Sequence, residues 1–337
     1  MSKSLLVTGG AGFIASNFIH YIMQRYPDYK IINIDKLTYA GSDANVQEIA
    51  ASDNYQFIKG DIADGQLINW IFNEYDVDGV IHFAAESHVD RSINDAKAFI
   101  ESNVLGTNVL LQAARDAWEK KGELAIRRFH QISTDEVYGS LDLETDEKFH
   151  EQTPYDPRNP YSASKAGADM LVKSFGQTYG MNVVTSSSSN NYGPQQHSEK
   201  LIPTIISNAL QGKPIPLYGD GKNVRDWLYV EDHCRAIDLI FHEGKKLEKY
   251  NVGGNNERTN IELSMMICDI LDHLKPEHYS HKELITYIGD RKGHDRRYAV
   301  DDSKIRNTLG WKPSTTLNDG LNKTVEWYID QWEKAIL

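Results

Sequence analysis

Cysteine is scarce in this chain: Cys234 and Cys268 are the only two in 337 residues. They lie far apart in helix-like segments and form no C-x-x-C pair, which excludes a disulfide framework and a thiolate zinc centre. No metal is expected. Long apolar runs are missing as well, and none approaches the roughly 18 residues of a membrane-spanning helix. The stretch from Met1 to Thr8 is too short before its first glycines for a signal peptide and reads as a strand. A reducing, cytoplasmic setting is the expectation. Positive charge is in deficit, with 36 Lys and Arg against 48 Asp and Glu and a net charge of −12. No basic run offsets it, so neither nucleic acid nor an anionic membrane is expected as a partner. An anionic substrate would need a locally basic cleft.

What remains is an ordinary globular composition, 40% hydrophobic and 25% charged. In the first half, short apolar strands alternate with helical patterns. Leu5–Val7, Ile31–Asp35, Tyr55–Lys59, Gly79–Phe83 and Arg128–Ile132 read as strands, and Phe13–Arg25, Leu67–Asn73 and Phe99–Trp118 as helices. Such alternation specifies βαβ units and an α/β, Rossmann-type, doubly wound parallel sheet. A helix over Tyr161–Tyr179 and a strand over Met181–Thr185 follow. Beyond them the pattern loosens into short strands and Gly/Pro loops, with amphipathic helices near Ile261–Leu274 and Leu317–Trp332. No linker, repeat or low-complexity tract divides the chain. The expected organisation is a dinucleotide-binding domain over 1–188, joined by about 226–255, with 189–337 forming mainly a smaller, interleaved substrate-binding region.

Gly10-x-Gly12-x-x-Ala15 sits between the first strand and first helix, and Gly9 adds the wider G-x-x-G-x-x-A spacing. Glycine there permits a tight turn and close approach of backbone N–H groups to a pyrophosphate at the helix N-terminus. Asp35 ends the second strand, 20 residues after Ala15, where an acid accepts the ribose hydroxyls and repels a 2′-phosphate. NAD is therefore expected over NADP, with Lys36 beside it the one discordant charge. Asp61-Ile62 follows the third strand and is placed near the adenine. Phe83-Ala84-Ala85-Glu86-Ser87 follows the fourth, with two small residues where a cofactor could pass close to the backbone.

Tyr161-x-x-x-Lys165 opens a helix after Pro160, and residues four apart share a helix face. A tyrosine of pKa about 10 acts as a base near neutrality only if its phenolate gains roughly 4 kcal/mol. One positive charge about 4 Å away supplies about that much at an effective dielectric near 20. A Tyr/Lys pair at this spacing is common by chance on surface helices. Its weight here comes from the dinucleotide pattern and from Ser133-Thr134, since the Thr134 hydroxyl can share the substrate oxygen with Tyr161.

With Thr8–Ile14, Ser133–Gly139 and Tyr161–Lys165, the chain resembles the extended short-chain dehydrogenase/reductases. Ala84–Ser92, Ser189–Pro194, Arg225–His233 and Asp290–Tyr298 make it similar, within them, to the dTDP-glucose 4,6-dehydratases, over nearly the whole length. Departures are Ala15 for a usual glycine, Ser102 for a usual threonine, and serines at 186–189 where a cysteine is common. The resemblance implies C4 oxidation of dTDP-glucose with NAD, elimination of water across C5 and C6, and hydride return to C6, giving dTDP-4-keto-6-deoxyglucose. It implies Tyr161 as base at the C4 hydroxyl with Thr134 and Lys165 assisting, Glu136 as base at C5, and Asp135 as acid at the C6 oxygen. Asp135 must then keep a proton near neutrality, favoured by burial and by the Glu136 charge. Because neighbours in a strand point to opposite faces, both acids reach one substrate only if the chain turns there.

By the same resemblance, Phe13, Ile14, Leu37, Thr38, Ser102 and Asn191 join Gly9, Gly12, Asp35, Lys36, Asp61, Ile62 and the Phe83–Ser87 run at the cofactor. Ser87, Thr134, Asn190, Lys200, Leu201, Pro216, Leu217, Tyr218, Arg225 and Asn260 are implied to hold the nucleotide-sugar. Asp290, Arg291, Lys292, Gly293 and His294 complete that set. Arg225 suits bidentate contact with a phosphate. The helices over Phe99–Trp118 and Tyr161–Tyr179 resemble those that pair in a homodimer. The alternatives are a related UDP-sugar 4-epimerase or decarboxylase, which needs no Asp-Glu pair, and more distantly a non-catalytic NAD-binding regulatory protein.

Overall fold

The computed structural model describes residues 2–290 and 293–336. Six strands of the first half are β1 (Ser4–Thr8), β2 (Lys30–Asp35), β3 (Tyr55–Lys59), β4 (Gly79–His82), β5 (Arg128–Thr134) and β6 (Asn182–Ser188). Between them run α1 (Phe13–Arg25), α2 (Gly65–Glu74), the short α3 (Val89–Asn94) and α4 (Lys97–Phe99), α5 (Thr107–Lys120) and α6 (Pro160–Tyr179). Then come β7 (Asn190–Tyr192), α7 (Leu201–Leu210), β8 (Ile215–Tyr218), β9 (Val224–Tyr229) and α8 (Val230–Glu243). The rest comprises β10 (Lys249–Val252), β11 (Glu257–Thr259), α9 (Asn260–Leu274), β12 (Ile285–Ile288), α10 (Ser303–Leu309) and α11 (Leu317–Ile336).

The main sheet has the order β3-β2-β1-β4-β5-β6-β10, with neighbours parallel. Its winding reverses between β1 and β4, and in such sheets ligand crevices open at the carboxyl ends beside that point. Burial of both faces explains the apolar strands. Leu6 belongs to the cluster holding Ile68, Leu110 and Phe129, while Leu5 and Val7 belong to one holding Phe18, Ile19 and Ile237. The doubly wound sheet expected from sequence is therefore present. The smaller region consists of the sheets β11-β9-β7 and β12-β8, and a core of Ile202, Ile205, Leu263, Ile267 and Leu321 packs α7, α9 and α11 together. No helix among the described residues is long and apolar enough to cross a membrane.

Three elements depart from the sequence expectation. β5 runs on to Thr134 and β6 to Ser188, because Ile132, Ser133 and Thr134 pair in register with Ser186, Ser187 and Ser188. Backbone pairing, not side-chain polarity, keeps the serine run extended. The single helix expected over Phe99–Trp118 is α4, a π-helical segment Ile100–Gly106, and then α5. That wider turn accompanies an inward-turned Asn103, which is buried.

Helix α6 starts where its sequence says it should. Asn159 caps it, accepting from Ser162 N at 2.8 Å, the Ser162 hydroxyl closes a capping box, and Pro160 occupies the first turn. Gly180 ends it in the left-handed conformation, φ 70°. Tyr161, Lys165, Asp169 and Val172 recur along its buried face. Replacing Asn159 by Ala should cost about 1 kcal/mol, which a thermal melt would register as a fall in Tm of roughly 1–2 °C for a chain of this size.

Candidate active site

A cavity of about 600 Å³ opens at the carboxyl ends of the central strands. Its floor depends on Gly9, φ +71°, where a Cβ would lie 2.7 Å from the Ala84 Cα. Only glycine allows β1 and the chain after β4 to approach so closely. Gly12 precedes α1 and gives no side-chain cap, so first-turn N–H groups are available to an anion. Gly12, Phe13, Ile14 and Ala15 all line the cavity. Asp35 lines it too, accepting from Ala11 N at 2.9 Å and Leu37 N at 2.7 Å. Burial pushes its carboxyl above the usual range despite those two donors. Lys36 reaches Asp61 at 2.6 Å, so the discordant cation is paired with an acid. Glycine cradle, uncapped helix end and acid together fit the pyrophosphate and ribose of a dinucleotide.

Thr38, Ile62, the Phe83–Ser87 run, Ser102 and Asn191 share this wall. Leu37 does not; it sits at φ 54° and contributes its N–H to Asp35. Beneath the wall runs a buried hydrogen-bond chain. Thr8 Oγ1 accepts from Ala84 N at 3.1 Å and donates to His82 Nδ1 at 2.7 Å. His82 Nε2 then donates to Thr107 Oγ1 at 2.9 Å, which donates to Asn103 O at 2.6 Å. This tautomer follows from the partners. Burial, with the Lys165 charge adding to it, pushes the imidazole down to about 3, so it stays neutral. Asn103 bonds Glu86 N at 2.8 Å and Ser164 Oγ at 2.8 Å, and Ser164 donates to Tyr161 O at 2.7 Å. The cavity wall and the Tyr161 helix are thereby tied together.

Thr134, Asp135, Glu136, Tyr161 and Lys165 all line the same cavity. Strand alternation would have split the two acids, but β5 stops at Thr134 and Asp135–Tyr138 forms a 3-10 turn. Thr134 starts the turn by accepting from Glu136 N at 3.3 Å. Gly139 ends it at φ +92°, where a Cβ would meet Asp156 O at 2.6 Å. Burial, then the Glu136 charge, pushes the Asp135 carboxyl well above the usual carboxylate range, with Asp226 adding and Arg225 opposing. Asp135 is 2% exposed, and its Oδ2 has no hydrogen-bond partner among the described residues. Tyr161 departs from the balance drawn from its lysine alone. Burial first and the Glu136 charge second push the phenol up, and hydrogen bonding with Thr134 acts the other way. The Lys165 Nζ donates to Ile132 O at 2.7 Å. Burial lowers the lysine and Asp169 opposes that.

Residues 6–324 match the family model described as GDP-mannose 4,6 dehydratase. The chain belongs to that family. It is 51% identical over 337 residues to a dTDP-glucose 4,6-dehydratase of Escherichia coli, covering 96% of this chain and 92% of the relative. Among solved structures, the dTDP-glucose 4,6-dehydratase of Streptomyces venezuelae with NAD bound has a TM-score of 0.90 and 44% identity over 98% of both chains. That of Bacillus anthracis str. Ames, in complex with NAD, has a TM-score of 0.88 and 46% identity, again over 98% of both. The resemblance read from sequence is to these same family members.

Of the residues assigned to a substrate, Ser87, Thr134, Asn190 and Lys200 line the cavity. Leu201, Pro216, Leu217, Tyr218, Arg225, Asn260, Asp290, Gly293 and His294 are not part of its wall, and Arg291 and Lys292 lie outside the described residues. Arg225 is buried, with its Nη atoms donating to Val224 O at 2.7 Å and Asp295 O at 2.9 Å and its guanidinium over the Tyr298 ring at 4.3 Å. Tyr218, Asp290 and His294 form a second group. His294 Nδ1 meets Asp290 Oδ1 at 2.6 Å and stacks edge-on to Tyr218 at 6.1 Å. Sequence reasoning about this family member missed Ser133, Ser188, Ser189, Gln196 and His197 as wall residues. Ser188 ends β6 at the cavity edge and Ser189 follows it, a usable signal; Gln196 and His197 carry none.

A carboxyl whose folded pKa is raised stabilises the fold fully only below its unfolded value near 3.9, and that contribution is lost as pH rises through the folded value. Asp135→Asn should therefore raise Tm at pH 7–8, by roughly 1–2 °C for each kcal/mol relieved, with the gain vanishing near pH 4. Melts of both proteins across pH would check this, and a gain independent of pH would contradict it.

Proposed function

We propose that this chain is a dTDP-glucose 4,6-dehydratase, forming dTDP-4-keto-6-deoxyglucose and water. The observation that carries the reading is the turn at Asp135–Tyr138, which brings Asp135 and Glu136 into one cavity with Tyr161 and Lys165. A 4-epimerase or decarboxylase requires the tyrosine and lysine but not a paired acid and base for elimination. Gly9, Gly12–Ile14, Asp35 and the Phe83–Ser87 run would hold NAD, which when bound would supply a hydride acceptor for C4 and, once reduced, a hydride donor for C6. Tyr161 takes the C4 hydroxyl proton, and Thr134 fixes that oxygen. The Lys165 ammonium, one turn along α6, works against the burial and the Glu136 charge that raise the phenol, and the oxidised cofactor would add a further positive charge. A ketone at C4 acidifies the C5 proton, which Glu136 removes, while Asp135 donates its retained proton to the departing C6 oxygen. From the adjacent position in the turn, the Glu136 charge helps hold the Asp135 carboxyl above its ordinary range.

Residues 1–188 with about 226–255 serve the dinucleotide in this reading, and 189–337 mainly the nucleotide-sugar. Lys200, in the cavity wall, offers a cation to its diphosphate, while Arg225 and the Tyr218–Asp290–His294 group lie outside that wall. The chain acts as a homodimer through the helical stretch 97–120 and α6, supported by the exposure there of Ile100 and Met170, each about half exposed. Cys234 and Cys268 are buried free thiols, in keeping with a cytoplasmic enzyme.

Purified protein given dTDP-glucose deuterated at C4, without added NAD, should yield the 4-keto-6-deoxy sugar with deuterium at C6, read by mass spectrometry and NMR. Epimerised sugar, or no product even with NAD supplied, would reject the reading. Glu136→Gln should retain C4 oxidation, seen as reduced-nicotinamide absorbance in one turnover, while slowing elimination by about 10²–10⁴-fold. Loss of both steps together would count against its role at C5.

A further inference from the structure

The column of side chains on α6 does not stop at Lys165. One turn on, Asp169 is 4% exposed and lies behind the cavity, outside its wall. Its Oδ2 accepts from Ser133 Oγ at 2.6 Å and from Tyr155 Oη at 2.8 Å, and its Oδ1 from Gln131 Nε2 at 3.4 Å. Tyr155 in turn accepts from Lys249 Nζ at 2.6 Å. That ammonium, on β10, stands over the rings of Tyr138 at 4.1 Å and Tyr155 at 4.2 Å. Tyr138 belongs to the turn carrying Asp135 and Glu136, and its hydroxyl donates to Asn251 Oδ1 at 2.7 Å on the same edge strand. A buried carboxylate and a half-buried ammonium are thus linked through Tyr155 in a space that joins β5, α6, the acid-bearing turn and β10. Burying charges is costly, and replacing such a pair by apolar groups is often neutral or stabilising, so stability alone is a weak reason to keep it.

Lys165 lies one turn before Asp169 on the buried face of α6, and the two hold adjacent residues of β5, Lys165 the Ile132 carbonyl and Asp169 the Ser133 hydroxyl. The Lys165 charge is disfavoured by burial, and Asp169 is the neighbour that favours it. Other titratable groups facing this region are His82 from β4, which is neutral, Tyr161 from α6, Tyr155 from the loop before it and Tyr138 from the turn. Lys249 from β10 also interacts with Asp135 and Glu151, and burial pushes it down to about 8.

We propose that Asp169 is a positioning residue of the reaction centre: from one turn behind, its carboxylate keeps the Lys165 side chain an ammonium, and the Tyr155–Lys249 brace holds that carboxylate in place. The role rests on the reading of Tyr161 and Lys165 as the proton-transfer pair. Asp169 touches neither the cavity nor the reacting atoms, so its effect belongs to the pH dependence of turnover and not to substrate affinity.

Asp169→Asn preserves shape and can still accept from Ser133 and Tyr155 while losing the charge. The alkaline limb of kcat for C4 oxidation, where Lys165 loses its proton, should move about one pH unit or more toward acid, because removing an anion favours the neutral amine. KM for dTDP-glucose should stay within about twofold, and Asp169→Glu should return the limb toward its wild-type position. A folded Asn variant with an unmoved limb would reduce Asp169 to a structural role and overturn the proposal. Should that variant not fold, the wild-type protein decides: NMR of lysine labelled at Cε, with the signal assigned through Lys165→Met, should show Lys165 as an ammonium from pH 7 to 9. A neutral amine at pH 7 would overturn it. Failure of wild-type protein to turn over dTDP-glucose would count against the proposed function alone, since the NMR titration does not depend on activity.

Discussion

Charge removed from water must be answered by opposite charge or by hydrogen bonds, and the carboxyl edge of the main sheet collects more such charge than any ordinary core. Asp35 is answered by two backbone N–H groups, Lys165 by the Ile132 carbonyl and Asp169, and Lys249 by Tyr155 and two aromatic faces. Asp135 is the exception. With two acids near it and one oxygen unsatisfied among the described residues, its carboxyl is pushed well above the usual carboxylate range. One sheet edge thus carries two buried carboxyls of different standing, Asp35 with two backbone donors and Asp135 with an oxygen that has no partner among the described residues.

Register then decides which groups meet. Thr134 pairs with Ser188, so β5 and β6 end level and expose the turn at 135–138 beside Asn190 and Asn191. Tyr161 lies opposite because a capped helix begins at Pro160, and the Asn103–Ser164 link prevents that helix from drifting relative to Glu86. Moving β5 by one residue would send Thr134 to the other face of the sheet. The constellation is therefore a property of strand ends as much as of the residues at them.

The parts readable in the sequence were those governed by local periodicity. The strand, glycine turn, helix and second strand ending in Asp35 follow from near neighbours, as does the common face of Tyr161 and Lys165. Asp135 and Glu136 needed the structure, since alternation in a strand would have separated them and only the 3-10 turn unites them. The strand expected to end at Thr185 runs on through Ser188, because its partners on β5 are fixed by pairing remote in sequence. Long-range packing also hid Gln196 and His197, the π-helical turn around Asn103, and the brace from Asp169 to Lys249. The group of Tyr218, Asp290 and His294 shares the smaller region without reaching the cavity wall, a distinction that motif spacing does not express.

The neutral imidazole of His82 has two counterparts, His130 against Ser186 at 2.9 Å and His233 against Asn191 at 2.8 Å. Burial depresses all three, His82 and His233 to about 3 and His130 well below its ordinary value. The open chain binds protons at these rings below about pH 6.5, whereas the native core does not. Mild acid therefore draws the molecule toward unfolding through rings that line no part of the cavity, and the dryness of the interior sets a floor on the acidity the fold withstands.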